Sequence, residues 1–204
     1  MIVKAHGARP LEDSVLRGMF EARKRVFVDL LKWNVPVIDG RYELDQFDDE
    51  HAVYLIVTEA DGGHLGSARL LKTERPHILD TLFPQLCADG VPRGNDTLEI
   101  TRFCLERRQS AADRLLIRNR LVTAIVAHAL AHDITTYTGV AELAWLQQIL
   151  AFGWRCRPLG LPRPVGTTLL GALQIDIDRQ TQALLMQSGI WMPPVLDETP
   201  ALAA

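Results

Sequence analysis

The most constraining stretch of the chain is His51 to Lys72. HAVYLIVTEA is rich in branched and aromatic residues, Asp61-Gly62-Gly63 makes a tight turn, and HLGSARLLK returns. The pattern predicts a β-hairpin. Arg69 lies inside the returning strand among apolar neighbours. It must point to one face of a sheet and needs a partner there, because an unpaired buried charge is very costly.

Other elements follow from pattern. Ile2 to His6 reads as an edge strand, and Pro10, Asp13 and Ser14 offer helix-start chemistry before an amphipathic helix, or two, over Leu11 to Leu31. A long loop, Trp33 to Asp49, comes next, and a short helix is expected over Ile78–Leu86. Thr97 to Leu105 reads as a strand whose alternation puts Glu99, Thr101 and Phe103 on one face and Ile100, Arg102 and Cys104 on the other. Ser110 to Asp133 is a strong helix with an apolar stripe of Leu115, Leu116, Leu121, Val122, Ile125, Val126, Ala129 and Leu130. A strand over Ile134–Val140 and a helix over Glu142–Phe152 follow, then an edge at Trp154–Pro158. Pro162, Pro164 and Gly166 break the chain before a strand, Thr167–Asp178, and a last helix, Arg179–Ser188. The order implies an α/β (α+β) fold in a single three-layer domain, with a mixed central sheet and helices on both faces. At 204 residues one core suffices.

Composition removes several function classes. A net charge of −3 disfavours nucleic acid as a partner. No apolar run is long enough for a membrane span and the first residues lack a secretory signal, so a cytoplasmic protein is expected. Cys87, Cys104 and Cys156 lie far apart, which suits buried thiols rather than a disulfide framework or a metal site. His128 and His132 stand four apart on a helix without an HExxH pattern, so no metal is expected. No Walker loop, dinucleotide fingerprint or hydrolase triad is present.

Chemistry concentrates in two places. Arg23 to Asp48 holds Phe27 and Trp33, then Glu43, Asp45 and Asp48, which suggests a pocket for a ligand part charged and part flat. Glu99 and Arg102 place charges in a strand, as Arg69 does; these three form an internal ion-pair network, an active site, or both. A third feature is the run from Arg102 to Arg120, with six arginines against two acids. It reads as a solvated helix face or as a docking patch for an acidic partner.

In this order (Arg23, Phe27, Trp33, then E-x-D-Q-F-D at Glu43, Asp45 and Asp48, Arg69 in a G-x-x-R strand, Phe83, and Glu99-x-x-Arg102-Phe103) the residues resemble the acyl-homoserine-lactone synthases, the autoinducer synthases of bacterial quorum sensing. The likeness is strong over about residues 10–110 and extends by element order to roughly 190. Thr101 replaces the usual serine before the arginine and keeps its hydroxyl. The resemblance implies a fold similar to the GCN5-related N-acetyltransferases, with residues 1–191 as the synthase domain and 192–204 as a flexible tail.

It also implies a two-substrate reaction with no cofactor. An acyl group passes from acyl carrier protein or acyl-CoA to the amine of S-adenosylmethionine, and lactonisation expels methylthioadenosine. An α-amino group has a pKa of about 8, so it needs a base near neutrality. Glu99 is the first candidate, Glu43 the second, and Arg102 faces the thioester arm or buttresses Glu99. Arg23, Phe27, Trp33, Asp45, Asp48, Arg69 and Phe103 are the expected S-adenosylmethionine contacts. Phe83, Tyr137, Thr138, Trp145, Leu146 and Ile149 are the expected acyl pocket, and Arg107, Arg108, Arg114 and Arg118 the carrier-docking arginines. The alternatives are a GCN5-like acetyltransferase using acetyl-CoA, whose glycine-rich pyrophosphate loop the ERRQSAADR approach lacks, and a non-catalytic small-ligand sensor.

Overall fold

The computed structural model describes residues 1–6 and 13–193. Pro10, expected near a helix start, and residues 194–204 of the expected tail lie outside the described residues. The chain runs β1 (Ile2–His6), α1 (Ser14–Arg23), a π-helical turn (Lys24–Leu30), β2 (Val37–Ile38), β3 (Tyr42–Glu43), β4 (Val53–Thr58) and β5 (His64–Lys72). It continues with α2 (Ile78–Leu82), a 3-10 turn (Pro84–Leu86), β6 (Thr97–Leu105), α3 (Ala111–Ala131), β7 (Thr136–Glu142) and α4 (Leu143–Leu150). β8 (Arg155–Pro158), β9 (Arg163–Val165), β10 (Thr168–Asp176) and α5 (Thr181–Gln187) complete it.

One sheet dominates, in the order β1-β4-β5-β6-β7-β10-β8, with β9 also paired to β10. All its pairs are antiparallel except β6–β7. That parallel pair needs a crossover, which α3 provides. Alternation along β4 and β5 sorts the layers. Leu55, Val57, Ala68 and Leu70 face the core beneath α3, α4 and α5; Tyr54, Ile56 and Leu71 face α1 with Leu16, Met19 and Phe20. Three layers with a mixed sheet therefore form, as the element order predicts.

Asp13 caps α1, its carboxylate accepting from the Val15 and Leu16 amides, and Ser110 caps α3 by accepting from the Asp113 amide. Three leucines of the expected α3 stripe turn outward: Leu115 (51% exposed), Leu116 (38%) and Leu130 (39%). At 3.6 residues per turn Leu116 and Leu130 fall roughly half a turn from the buried Leu121–Ile125 line, whereas Leu115 shares the angle of the buried Val122 and Val126 and is exposed with the first turns of α3. The Pro162–Gly166 stretch is not a plain break. β9 pairs with the start of β10 around Gly166, whose φ is +59°, and a sheet edge tolerates Pro164. The expected Trp33–Asp49 loop likewise contains a small hairpin, β2–β3, with its turn at Asp39 and Gly40, both at positive φ.

Two irregularities position the site. α1 widens into the π-helical turn, where the Leu31 amide bonds the Val26 carbonyl and the Trp33 amide the Phe27 carbonyl. Such turns are frequent at functional sites. On β6, Ser67 pairs with Cys104 but Arg69 with Thr101, so Arg102 and Phe103 together oppose Ala68. This is a β-bulge, with Arg102 at φ +51°. It overturns the expected alternation: Arg102 reaches the face of Arg69 and Thr101, while Phe103 packs on the opposite face against Trp145.

Candidate active site

Six charged side chains meet where α1, the β2–β3 hairpin, β5 and the β6 bulge converge. Arg23, the last residue of α1, donates from Nε to Glu43 Oε2 (2.5 Å) and from its two terminal nitrogens to Asp48 (2.8 and 2.9 Å). Arg69 donates to both oxygens of Asp45 (2.6 and 3.1 Å) and to Thr101 Oγ1 (2.9 Å), and its Nη1 lies 2.7 Å from Asp48. Arg102 reaches Glu43 (3.0 Å) and Asp45 (2.7 Å). Three guanidinium groups thus meet three carboxylates, and the cluster is neutral as a whole. Bidentate contacts of this kind fix geometry as well as charge.

The loop supplying the acids braces itself. The Asp45 amide donates to Asp48 Oδ2, the Phe47 amide to Asp45 Oδ1, and the Asp48 amide to the Asp45 carbonyl. Burial pushes the Asp48 carboxyl up, but Arg23 and Arg69 outweigh it and hold the group well below the usual carboxylate range. Burial and the adjoining Asp48 charge raise the Tyr54 hydroxyl, which donates to Asp48 at 2.9 Å. Sequence reasoning missed Tyr54. The signal was there, since hairpin register sets Tyr54 opposite Arg69.

Phe27, buried by the π-helical turn, stacks on Trp33 with ring centroids 4.7 Å apart and planes at 17°. The Arg102 guanidinium lies 5.6 and 5.8 Å from these two rings. The charge cluster and the aromatic pair therefore share Arg102. A cavity of about 220 Å³ lies beside Phe47, Leu71 and Thr81 rather than over the aromatic pair; Phe47 lines it and also sits under Arg69.

Glu99 stands apart from the cluster. Its two oxygens accept the amides of Ile78 and Leu79 (2.8 and 2.9 Å), at the start of α2. Burial pushes its carboxyl up to about 7, against the opposing pull of those amides and of Arg69 and Arg102. Its register partner across the parallel pair is Thr138, whose buried Oγ1 has no hydrogen-bond partner. Pairing ends one step later, at Ile100–Gly139, although β6 continues to Leu105 and β7 to Glu142. The strands part there, next to Arg102.

The structure brings together Arg23, Glu43, Asp45, Asp48, Arg69, Arg102, Phe27 and Trp33. The two acids expected to face a cationic substrate differ: the Asp48 side chain is fully enclosed, and Asp45 keeps an exposed edge of 8%. Phe103 lies outside the cluster, on Trp145. The expected acyl residues divide between faces. Tyr137, Trp145, Leu146 and Ile149 belong to the main core under α3 and α4; Phe83 packs on the α2 side. Tyr137 also donates to the Ile125 carbonyl at 3.0 Å. Of the four docking arginines, Arg107 and Arg108 are exposed. Arg114 donates to the Gln109 carbonyl, and Arg118 lies 4.8 Å over Phe152. Among the described residues no group of three or more His, Cys, Asp and Glu side chains could hold a metal ion, and no helix is long and apolar enough to cross a membrane.

The sequence profile of the autoinducer synthases matches residues 8–185. The chain belongs to the autoinducer synthase family. This autoinducer synthase is 32% identical over 195 residues to an acyl-homoserine-lactone synthase of Ralstonia nicotianae, covering 93% of this chain and 95% of that protein. It is 33% identical over 196 residues to an isovaleryl-homoserine lactone synthase of Bradyrhizobium diazoefficiens, covering 93% and 85%. The solved structure of the CoA-dependent synthase BjaI with S-adenosylmethionine and isopentyl-CoA superposes with a TM-score of 0.82 at 32% identity, covering 95% of this chain and 90% of that one. A Lactobacillus plantarum protein assigned as an N-acetyltransferase, 13% identical with a TM-score of 0.57, shares the fold alone. The autoinducer synthase is thus an acyltransferase family member on a GCN5-like scaffold, as the ordered residues predict.

Proposed function

We propose that this autoinducer synthase makes an N-acyl-L-homoserine lactone from S-adenosylmethionine and an acyl thioester. The observation that carries the proposal is the convergence of Arg23, Glu43, Asp45, Asp48, Arg69 and Arg102 beside the Phe27–Trp33 pair, where β6 and β7 part.

The residues divide the work by chemistry. Trp33 and Phe27 offer aromatic faces to the adenine and the sulfonium. The exposed edge of Asp45 attracts the cationic end of the substrate, and Arg102, the most open guanidinium of the cluster, is placed to meet the substrate carboxylate or the thioester oxygen. Glu43, its oxygens occupied by Arg23 and Arg102, orients those arginines. Glu99, with a carboxyl at about 7, takes the amine proton through a water. Glu99 releases that proton to solvent; the neutral amine nitrogen then bonds the acyl carbon, and as the C–S bond of the thioester breaks the second amine proton passes through Glu99 to the leaving thiolate. In the second step the substrate carboxylate attacks the methionine γ-carbon, and methylthioadenosine leaves as a neutral thioether. Backbone amides of β6 beyond Ile100, unpaired on the β7 side, are suited to stabilise the tetrahedral oxyanion.

The likeness to a CoA-dependent synthase makes acyl-CoA the first donor to test, with acyl carrier protein as the second. The purified protein should convert S-adenosylmethionine and a panel of both thioesters to acyl-homoserine lactone and methylthioadenosine, read by mass spectrometry. Acetyl transfer to another amine, with no lactone from any donor, would overturn the proposal.

A further inference from the structure

Both oxygens of Glu99 are held by one helix, which gives this residue a structural contact beyond its proposed role with the amine. α2 has only five residues, and His77 at its N-terminus makes no side-chain capping bond. A helix this short has no stability of its own and depends on outside contacts. Its first two amides, Ile78 and Leu79, find their acceptor on a strand 20 residues away in sequence or more, at full burial. An anionic acceptor also complements the positive end of a helix.

What α2 carries gives the contact a purpose. Leu79 is wholly buried with Leu86, Leu159 and Ala172, and Phe83, Val140 and Leu170 pack against them. Val140 lies two residues beyond Thr138 on β7, so both point to the same face. Thr138 in turn is the register partner of Glu99 and leaves its buried hydroxyl unpartnered. The end of the β6–β7 pairing, the Thr138 hydroxyl and an apolar layer walled by α2 thus follow one another on one face of the sheet. The other expected acyl residues, Tyr137, Trp145, Leu146 and Ile149, lie across the sheet in the main core.

We propose that Glu99 is a positioning residue for the acyl chain: by clamping the first turn of α2 it sets the wall against which the chain of the thioester packs. The inference rests on the synthase reading, and it places donor selectivity on the α2 face, with Leu79, Phe83, Val140 and Ala172 against the chain and Thr138 at its polar end. Glu99 contributes through α2 to donor binding in addition to its role with the amine.

Two substitutions separate the roles. Ile78→Pro removes one amide donor and leaves the Glu99 carboxylate in place; the first turn of a helix accepts proline, and His77 is already extended (φ −141°, ψ 174°). Glu99→Gln keeps one acceptor oxygen and removes the base. Amide exchange of residues 79–82 should speed up by about tenfold in both variants, the equivalent of one hydrogen bond to a charged group. In Ile78→Pro the KM for butanoyl-CoA should rise while the KM for S-adenosylmethionine and kcat at saturating donor are kept. In Glu99→Gln kcat should fall as well. Exchange over 79–82 unchanged in Glu99→Gln, or a donor KM unchanged in Ile78→Pro, would overturn the proposal. Exchange is read without turnover, so it decides the clamp even if no thioester yields lactone, a result that would sink the synthase reading instead.

Discussion

Arg23 holds Asp48 fork to fork, through two parallel hydrogen bonds of 2.8 and 2.9 Å, with both side chains sealed from solvent. One partner ends α1 and the other closes the acid loop, so the pair fastens the loop to the helix. Removing one member of a buried pair strands the other charge and costs about 3–5 kcal/mol. Asp48→Asn should therefore lower stability by about that much in urea unfolding; a loss below about 1 kcal/mol would place the pair among surface bridges. Because Arg23 and Arg69 overcome burial and hold the Asp48 carboxyl low, its contribution is present above the unfolded value of about 3.9 and is lost as pH falls below it.

Trp33 and Phe27 should respond differently to truncation. Phe27 is buried at 3% exposure, so Phe27→Ala opens a cavity and costs about 3–5 kcal/mol of stability. Trp33 is half-buried, and Trp33→Ala should leave folding close to wild type but weaken S-adenosylmethionine binding by calorimetry. Equal affinity in wild type and Trp33→Ala would remove the stacked pair from the binding site.

Glu99 links activity and stability to pH with opposite signs. Burial raises its carboxyl to about 7, so the base is formed, and turnover rises, as pH increases through about 7. The same shift lies above the unfolded value of about 4.3. Between about 4.3 and 7 the unfolded chain therefore gives up a proton that the folded chain keeps, and stability falls progressively across this window. Thermal scans across this window should show a steeper fall for wild type than for Glu99→Gln. Parallel slopes would show that Glu99 does not titrate there.

Thr138 carries a buried hydroxyl without a partner, which costs about 1–3 kcal/mol. Thr138→Val keeps the shape and removes the orphan, so it should stabilise the protein by about 1 kcal/mol, or about 2–4 °C in Tm for a chain of this size. If the acyl chain passes this point, the variant should also raise the KM for donors bearing an oxygen at the third carbon relative to donors without one. A lower Tm would mean that the hydroxyl is bonded in solution.

Arg107 and Arg108, exposed after β6, should attract an anionic donor. Reversing both to glutamate should raise the donor KM most at low salt, while the KM for S-adenosylmethionine stays unchanged. A donor KM insensitive to this reversal would leave them as solvated surface.

Much of this arrangement was legible in the sequence because it rests on short-range pattern. The β4–β5 hairpin follows from its Asp-Gly-Gly turn, and α3 from its stripe and Ser110 cap. Arg69 announces by its strand position that acids must come to it, and Asp45 and Asp48 do. What escaped depends on a single residue of register. Nothing in TLEITRFCL marks a bulge, because Arg102 adopts a positive φ that local preference disfavours and only its bonds to Glu43 and Asp45 explain. The same bulge turns Phe103 to the face opposite the one that plain alternation predicts. The short β2–β3 and β9 strands are stabilised by their partners, not by their own composition, so proline and loop signals concealed them.

The π-helical turn between Lys24 and Leu30 has a further consequence, for how this sequence tolerates change in length. A π turn is an α-helix with one residue too many, and deleting one residue between 24 and 30 would heal it into regular helix. Each helical residue advances the chain by about 100°, so losing one ahead of Phe27 would swing Phe27 and Trp33 roughly a quarter turn from Arg102 while both rings are kept. The surplus residue sets the aim of the aromatic pair. Among the substitutions and deletions open to this segment, the one that makes the helix more ideal would be the most damaging.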